Sequence, residues 1–218
     1  MIRRSSEKMI FKKLIVGALG TNCYIFGSDV TKEVVVIDPG GNAEAIINSI
    51  DELNGKPIAV LLTHGHFDHT TKVGKILRHF QIPLMFSKKE YDSGTFQQKE
   101  ANRWLVEGDI IKIGEIKLHT LETPGHSPGS LCFYTSDVDK FKGKQVSGIV
   151  FTGDLLFRGS IGRSDFQGGN QNLLFESIRK KIMHNKGIND NFVVCPGHMG
   201  LSTVGEERAN NMFRKYFL

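Results

Sequence analysis

Thr63-His64-Gly65-His66-Phe67-Asp68-His69 concentrates three imidazoles and a carboxylate within six residues, directly after the apolar run 58–62. Nitrogen and oxygen donors of this kind bind borderline metals such as zinc or ferrous iron. Left unpaired in a core they would be costly, and nothing on a surface requires them. His64 and His66, two apart, can face one way from an extended or turning backbone, while Asp68 and His69 point elsewhere on the next turn. That division suggests two ions rather than one.

Each ion needs further ligands, and three later motifs offer them: Thr123-Pro124-Gly125-His126, Phe151-Thr152-Gly153-Asp154 and Cys195-Pro196-Gly197-His198. Each has glycine directly before the candidate ligand, where a backbone can approach a bound ion closely. Five of the eight histidines fall in these four motifs. Taken singly, a His after Pro-Gly is ordinarily a turn residue and a Gly-Asp a turn or helix cap; the cluster at 64–69 is what makes His126, Asp154 and His198 candidate ligands. His79, His119 and His184 have no such company and read as helix-face or strand-edge residues.

These groups must be positioned by strands and helices. β-Branched runs bounded by Gly, Pro, Asn and Asp predict strands over 10–16, 23–26, 33–37, 58–62, 84–86, 116–122, 131–134, 149–151 and 192–195. Apolar residues at helical spacing predict helices over 43–53, 71–80, 173–181 and 205–216. Asp38, Thr63, Thr123, Thr152 and Cys195 close strands, so polar residues gather where strands end, a common place for sites. The polar, Lys-rich segment 137–147 predicts an exposed loop.

A chain of 218 residues can bury one sizeable core, which predicts a single domain over 9–218 after a short charged, disordered tail over 1–8 that lacks the apolar stretch of a secretory signal. With 39% hydrophobic and 23% charged residues, and no apolar run near the roughly 20 residues that span a bilayer, a soluble protein with no membrane partner is expected. The net charge of +5 comes from scattered Lys and Arg, which suits a solvated face or an anionic small substrate better than nucleic acid. Cys23, Cys132 and Cys195 are odd in number and lack Cys-x-x-Cys spacing, as expected of buried thiols in a cytoplasmic protein.

In their order the four motifs resemble the metallo-β-lactamase superfamily: an early Asp after a strand, matched by Asp38 in Val36-Ile37-Asp38-Pro39-Gly40, then His-x-His-x-Asp-His, then His, Asp and His. The resemblance implies an α+β, four-layer αββα sandwich of two mixed sheets flanked by helices, with the metals at one sheet edge. Gly153-Asp154-Leu155-Leu156-Phe157-Arg158-Gly159 through Gly162-Arg163-Ser164-Asp165-Phe166, with Pro196-Gly197-His198 and Thr203-Val204-Gly205-Glu206-Glu207-Arg208, is similar to the small glyoxalase II-like hydrolases. Carried over by position, His64, His66 and His126 hold a first ion, Asp68, His69 and His198 a second, and Asp154 bridges them. Asp38 orients a ligand histidine from behind. Two divalent ions are implied, zinc first, with iron or manganese as alternatives, and Asp68 and Asp154 are the carboxylates assigned to catalysis.

The chain departs from that family in three places. Thr70-Thr71-Lys72-Val73-Gly74 replaces the usual small residue and glycines after His69, Met199-Gly200 follows His198, and only residues 199–218 lie beyond it, too few for the glutathione-binding helical domain of full glyoxalase II enzymes. The chemistry implied is thioester hydrolysis by a hydroxide nucleophile, with a small-molecule thioester, such as a glutathione conjugate, as substrate. A thiolate leaves without an acid because its conjugate-acid pKa is about 8.5, whereas an amine needs a proton. The rivals are an iron persulfide dioxygenase with a similar Gly-Arg-x-Asp-Phe-Gln stretch, a nuclease, and a structural metal protein. Arg158 and Arg163 read as loop supports or contacts to an anionic substrate, with Arg163–Asp165 as the competing ion pair; Tyr24 reads as core.

Overall fold

The computed structural model describes residues 9–218, and the tail expected over 1–8 lies outside them. Strands β1 (Met9–Val16), β2 (Thr21–Ser28), β3 (Glu33–Ile37), β4 (Lys56–Leu61), β5 (Leu84–Phe86) and β6 (Arg103–Trp104) form one sheet in that order. It is antiparallel through β1, β2 and β3 and parallel from β3 to β6. Helices α1 (Ala43–Glu52), α2 (Phe67–Thr70), α3 (Val73–Phe80) and α4 (Lys88–Asp92) lie in its connections. The second sheet is built from β7 (Ile110–Ile113), β8 (Ile116–Glu122), β9 (Leu131–Thr135), β12 (Gly148–Gly153), β15 (Phe192–Pro196) and β16 (Ser202–Thr203), ordered β16-β15-β12-β9-β8-β7. Only β12 and β15 run parallel in it. Two small hairpins, β10 (Lys140–Phe141) with β11 (Lys144–Gln145) and β13 (Leu156–Phe157) with β14 (Ser160–Ile161), complete the strands, and α5 (Gln171–Ser177) and α6 (Val204–Asn210) follow.

Strand alternation sorts the apolar side chains into three layers. Val35 and Ile37 of β3 meet Phe133 of β9, Phe151 of β12 and Cys195 of β15 between the sheets. Val34 and Val36 face the other way, onto Ile46 and Ile50 of α1 and Ile76 of α3. On the far side Val150 and Val194 pack under Leu174 of α5, Ile178, Ile182 and Val204 of α6. Both sheets are therefore buried on both faces, which gives the expected αββα sandwich. The three thiols are free and buried within it. No helix among the described residues is long and apolar enough to cross a membrane.

Four expectations need correction. The segment expected as a loop over 137–147 holds the β10–β11 hairpin: Lys142 and Gly143 take the positive φ that a tight primed turn needs, and Phe141 turns inward, edge-on to Phe11 at 4.8 Å. The helix expected over 71–80 starts at Val73, because Thr70 and Thr71 donate their hydroxyls back to the carbonyls of His66 and Phe67 and end α2 first. The helix expected over 173–181 begins at Gln171, capped by Asn170, and widens after Ser177 into π-type turns over Ile178–Met183. The helix expected over 205–216 breaks at buried Asn211, whose side chain bonds the Ser160 carbonyl and the Glu207 carboxylate and whose backbone is extended. Arg214–Tyr216 forms a separate turn of tighter helix.

Candidate metal centre

β3, β4, β8, β12 and β15 all run towards one edge of the sandwich, and each hands its last residue to a candidate site segment: Asp38, 63–69, 123–126, Asp154 and 196–198. The seven expected ligands converge there. Donor atoms of His64, His66 and His126 lie within 4.8 Å of one another, as do those of Asp68, His69 and His198. Asp154 stands between the two sets, 3.6 Å from His126 Nε2, 3.3 Å from His69 Nε2 and 3.5 Å from His198 Nε2.

The ring protons point outward. His69 Nδ1 donates to Asp38 Oδ2 at 2.9 Å, His126 Nδ1 to the Arg163 carbonyl at 2.6 Å and His64 Nδ1 to Thr63 Oγ1 at 3.0 Å, which turns each Nε2 towards the centre. A third set of close donors, Asp38 with His64 and His69, is spent otherwise: the Asp38 carboxylate also accepts from the Thr63 amide and hydroxyl at 2.8 and 2.6 Å. Asp38 thus joins His69 to Thr63 from behind the centre, with its backbone at φ +53°.

A cation pair fits this donor set. His64 Nε2, His69 Nε2 and Asp154 Oδ1 are buried without a hydrogen-bond partner, and buried polar atoms are seldom left so. His66 Nδ1 and His126 Nε2 are 2.9 Å apart, a contact that two lone pairs make only around a shared proton or cation. Burial and the neighbouring imidazoles hold His64 well below, and His66 down at about 4, so both are neutral donors. Burial would lift Asp68, but hydrogen bonding from His198, the His69 charge and the Thr21 hydroxyl hold it at about 2. Burial likewise disfavours charge on His198, yet hydrogen bonding to Asp154 and Asp68 raises it to about 9.

Several supporting groups carry no motif of their own and were missed in the sequence. Glu90, on α4 and wholly buried, accepts from the Gly65 amide at 2.8 Å, the Ser127 hydroxyl at 2.7 Å and the Gly129 amide at 2.5 Å, tying the His64–His66 loop to the loop after His126. Tyr24 is core, as expected, and its hydroxyl also donates to the Pro196 carbonyl at 2.7 Å beside Asn22 Nδ2 at 2.9 Å, fixing the loop that carries His198. No local signal marks Glu90, which shares its short helix with a second acid, Asp92.

The glycines before the candidate ligands have no room for a side chain: an added methyl would sit 2.2 Å from Asp154 Oδ1 and 2.7 Å from the His69 ring at Gly197, 2.3 Å from the Leu174 amide nitrogen at Gly125 and 2.5 Å from Thr63 Oγ1 at Gly153. Gly197→Ala is expected to lower stability by about 1–3 kcal/mol through overpacking, read by urea denaturation, and to lower metal content, read by elemental analysis.

A cavity of about 450 Å3 opens over the centre, lined by His66, Asp68, His126, Asp154 and His198 together with Leu19, Phe67, Phe157, Arg163 and Phe166. Arg163 pairs with Asp165 through two bonds of 2.9 and 2.8 Å, and Arg158 lies against Gly200 beyond His198. His79, His119 and His184 lie outside the cluster; His119 stacks on Tyr134.

Residues 16–198 match the family model described as the metallo-beta-lactamase superfamily. The hydroxyacylglutathione hydrolase GloC of Haemophilus influenzae is 34% identical over 91% of this chain and 94% of its own. Among solved structures, the BLEG-1 B3 metallo-beta-lactamase superposes with a TM-score of 0.81 at 35% identity over 94% of this chain and 99% of that one. TTHA1623, crystallised in a di-iron-bound form, gives 0.77 at 29% identity over 93% and 99%.

Proposed function

The chain belongs to the metallo-beta-lactamase superfamily of metal-dependent hydrolases, and from that premise we propose that it cleaves thioesters of the hydroxyacylglutathione kind. His64, His66 and His126 would hold one divalent cation, Asp68, His69 and His198 a second, with Asp154 shared. Zinc suits these nitrogen and carboxylate donors, and iron or manganese would be accepted by them. Bound there, the pair would bring the pKa of water towards neutrality and polarise the substrate carbonyl.

The chain's own groups would hold this arrangement. Asp38, the Arg163 carbonyl and Thr63 keep the histidine protons turned away. Asp68 and Asp154 stay ionised and balance the charge, and Phe67, Phe157 and Phe166 line the cavity beside them. In the overall step a C–O bond forms from water, the C–S bond breaks, and the thiolate departs and takes up a proton in solvent.

One observation carries the choice of thioester. Among the described residues, apart from the metal-ligand candidates and Arg163, which stays protonated, no titratable side chain lines the cavity to protonate a leaving amine. A thiolate needs no such acid. Elemental analysis of protein from unsupplemented cells is expected to give about two metals per chain, with hydrolysis of S-lactoylglutathione and little turnover of a β-lactam. One iron per chain, with oxygen consumed on glutathione persulfide, overturns the reading.

A further inference from the structure

The cavity over the centre shares His66, Phe67 and Phe166 with a neighbouring groove of about 690 Å3. Phe67 is 69% exposed and Phe166 42%, so neither is there to fill a core. Phe166 stands edge-on to His66 at 5.3 Å, and the Arg163 guanidinium lies over its ring at 4.4 Å. The two rings form an apolar ridge between chambers of different chemistry. On the inner side Leu19 and Phe157 add apolar surface beside the candidate ligands. On the outer side stand the Gln167 amide and the Ser93 and Thr95 hydroxyls, which bond each other at 2.8 Å while Ser93 donates to the Glu90 carbonyl, leaving lone pairs of the hydroxyl oxygens to accept.

Charge is scarce in both chambers. Apart from the candidate ligands, Arg163 is the charged side chain lining either, and its guanidinium is already held by Asp165. A glutathione arm brings two carboxylates and an ammonium, for which no side chain lining the outer groove among the described residues supplies a counterion. A neutral arm containing amide bonds would find partners in those same groups. In the inner chamber, an apolar substituent on the carbonyl removes Leu19, Phe157 and Phe166 from water and is favoured in proportion to the area covered.

Resting on the thioester reading, under which glutathione thioesters are turned over but not preferred, we infer that the preferred substrate straddles the Phe67–Phe166 ridge, with an aromatic or branched apolar acyl group in the inner cavity and a neutral, amide-bearing thiol arm in the outer groove. The test compares kcat/KM of the metal-replete protein for lactoyl and 2-hydroxy-2-phenylacetyl thioesters, each on glutathione and on pantetheine, a neutral thiol with two amides. Phenyl is expected to exceed methyl by about tenfold or more on either thiol, and pantetheine to exceed glutathione by about tenfold for either acyl group. Phe166→Ala is expected to bring the phenyl-to-methyl ratio down towards one. Calorimetric dissociation constants of the matching non-hydrolysable thioethers are expected to follow the same order. A flat or inverted preference for acyl group or for thiol, in turnover or in thioether binding, overturns the inference and leaves thioester hydrolysis standing. Turnover of none of the four by protein carrying two metals overturns the thioester reading instead, and the thioether order then still decides how the chambers are used.

Discussion

Asp154→Ala is expected to lower kcat/KM for a thioester by at least about a hundredfold and to reduce metal content from two ions per chain towards one. Removing a group that only orients a ligand typically costs 10–100-fold in metal affinity or activity, so a carboxylate between both donor sets should cost no less. The geometry gives the reason: Asp154 lies within 3.6 Å of His126 in the first set and of His69 and His198 in the second. Its negative charge also favours charge on His69 and His198, so the variant leaves a crowd of imidazoles with less to hold them together. The fold should survive, because Asp154 belongs to none of the three apolar layers. Metal analysis, steady-state kinetics and a thermal melt on the same preparation check this. Full turnover with two bound ions would remove Asp154 from the mechanism and favour a structural metal site.

Glu90→Gln is expected to be the most destabilising conservative change near the site, by about 3 kcal/mol, or a drop in Tm on the order of 10 °C for a chain of this size. Two backbone amides and a hydroxyl converge on its carboxylate. Burial pushes the Glu90 carboxyl up, while the bonds from Ser127, Gly129 and Gly65 act to keep it ionised. Glutamine replaces one acceptor oxygen with a donor, so at least one buried N–H or O–H faces another donor and loses its partner. Because the bonds join the His64–His66 loop to the loop after His126, weaker metal binding should accompany the lost stability, and excess metal at low temperature should restore much of the activity. Urea denaturation and metal titration read the two effects separately. A variant as stable as the parent would show that the loops are held by packing alone.

How much of this was legible in the chain depended on the range of the cause. The His64–His69 cluster could be read because it is a local concentration of donors after an apolar run; the three Gly-ligand motifs gained meaning only beside it, and Asp38 only through the order of motifs that the family shares. Most strands and α1 could be read because alternation and helical spacing are also local. The hairpin at 140–145 could not, since a single Phe141 turned inward against Phe11 decides it. The break at Asn211 could not either, since its partners at Ser160 and Phe157 are about fifty residues away.

The sequence alone determined the donor chemistry and the family pattern, because residue types and short spacings set which atoms can bind a cation. Tertiary structure alone decided that five strand ends meet at one edge, that Glu90 and Tyr24 fix the ligand loops, and that an aromatic ridge stands over the centre. Those outcomes depend on side chains far apart in the chain being packed within a few ångströms, and such contacts follow from burying three apolar layers together rather than from any stretch of residues read by itself.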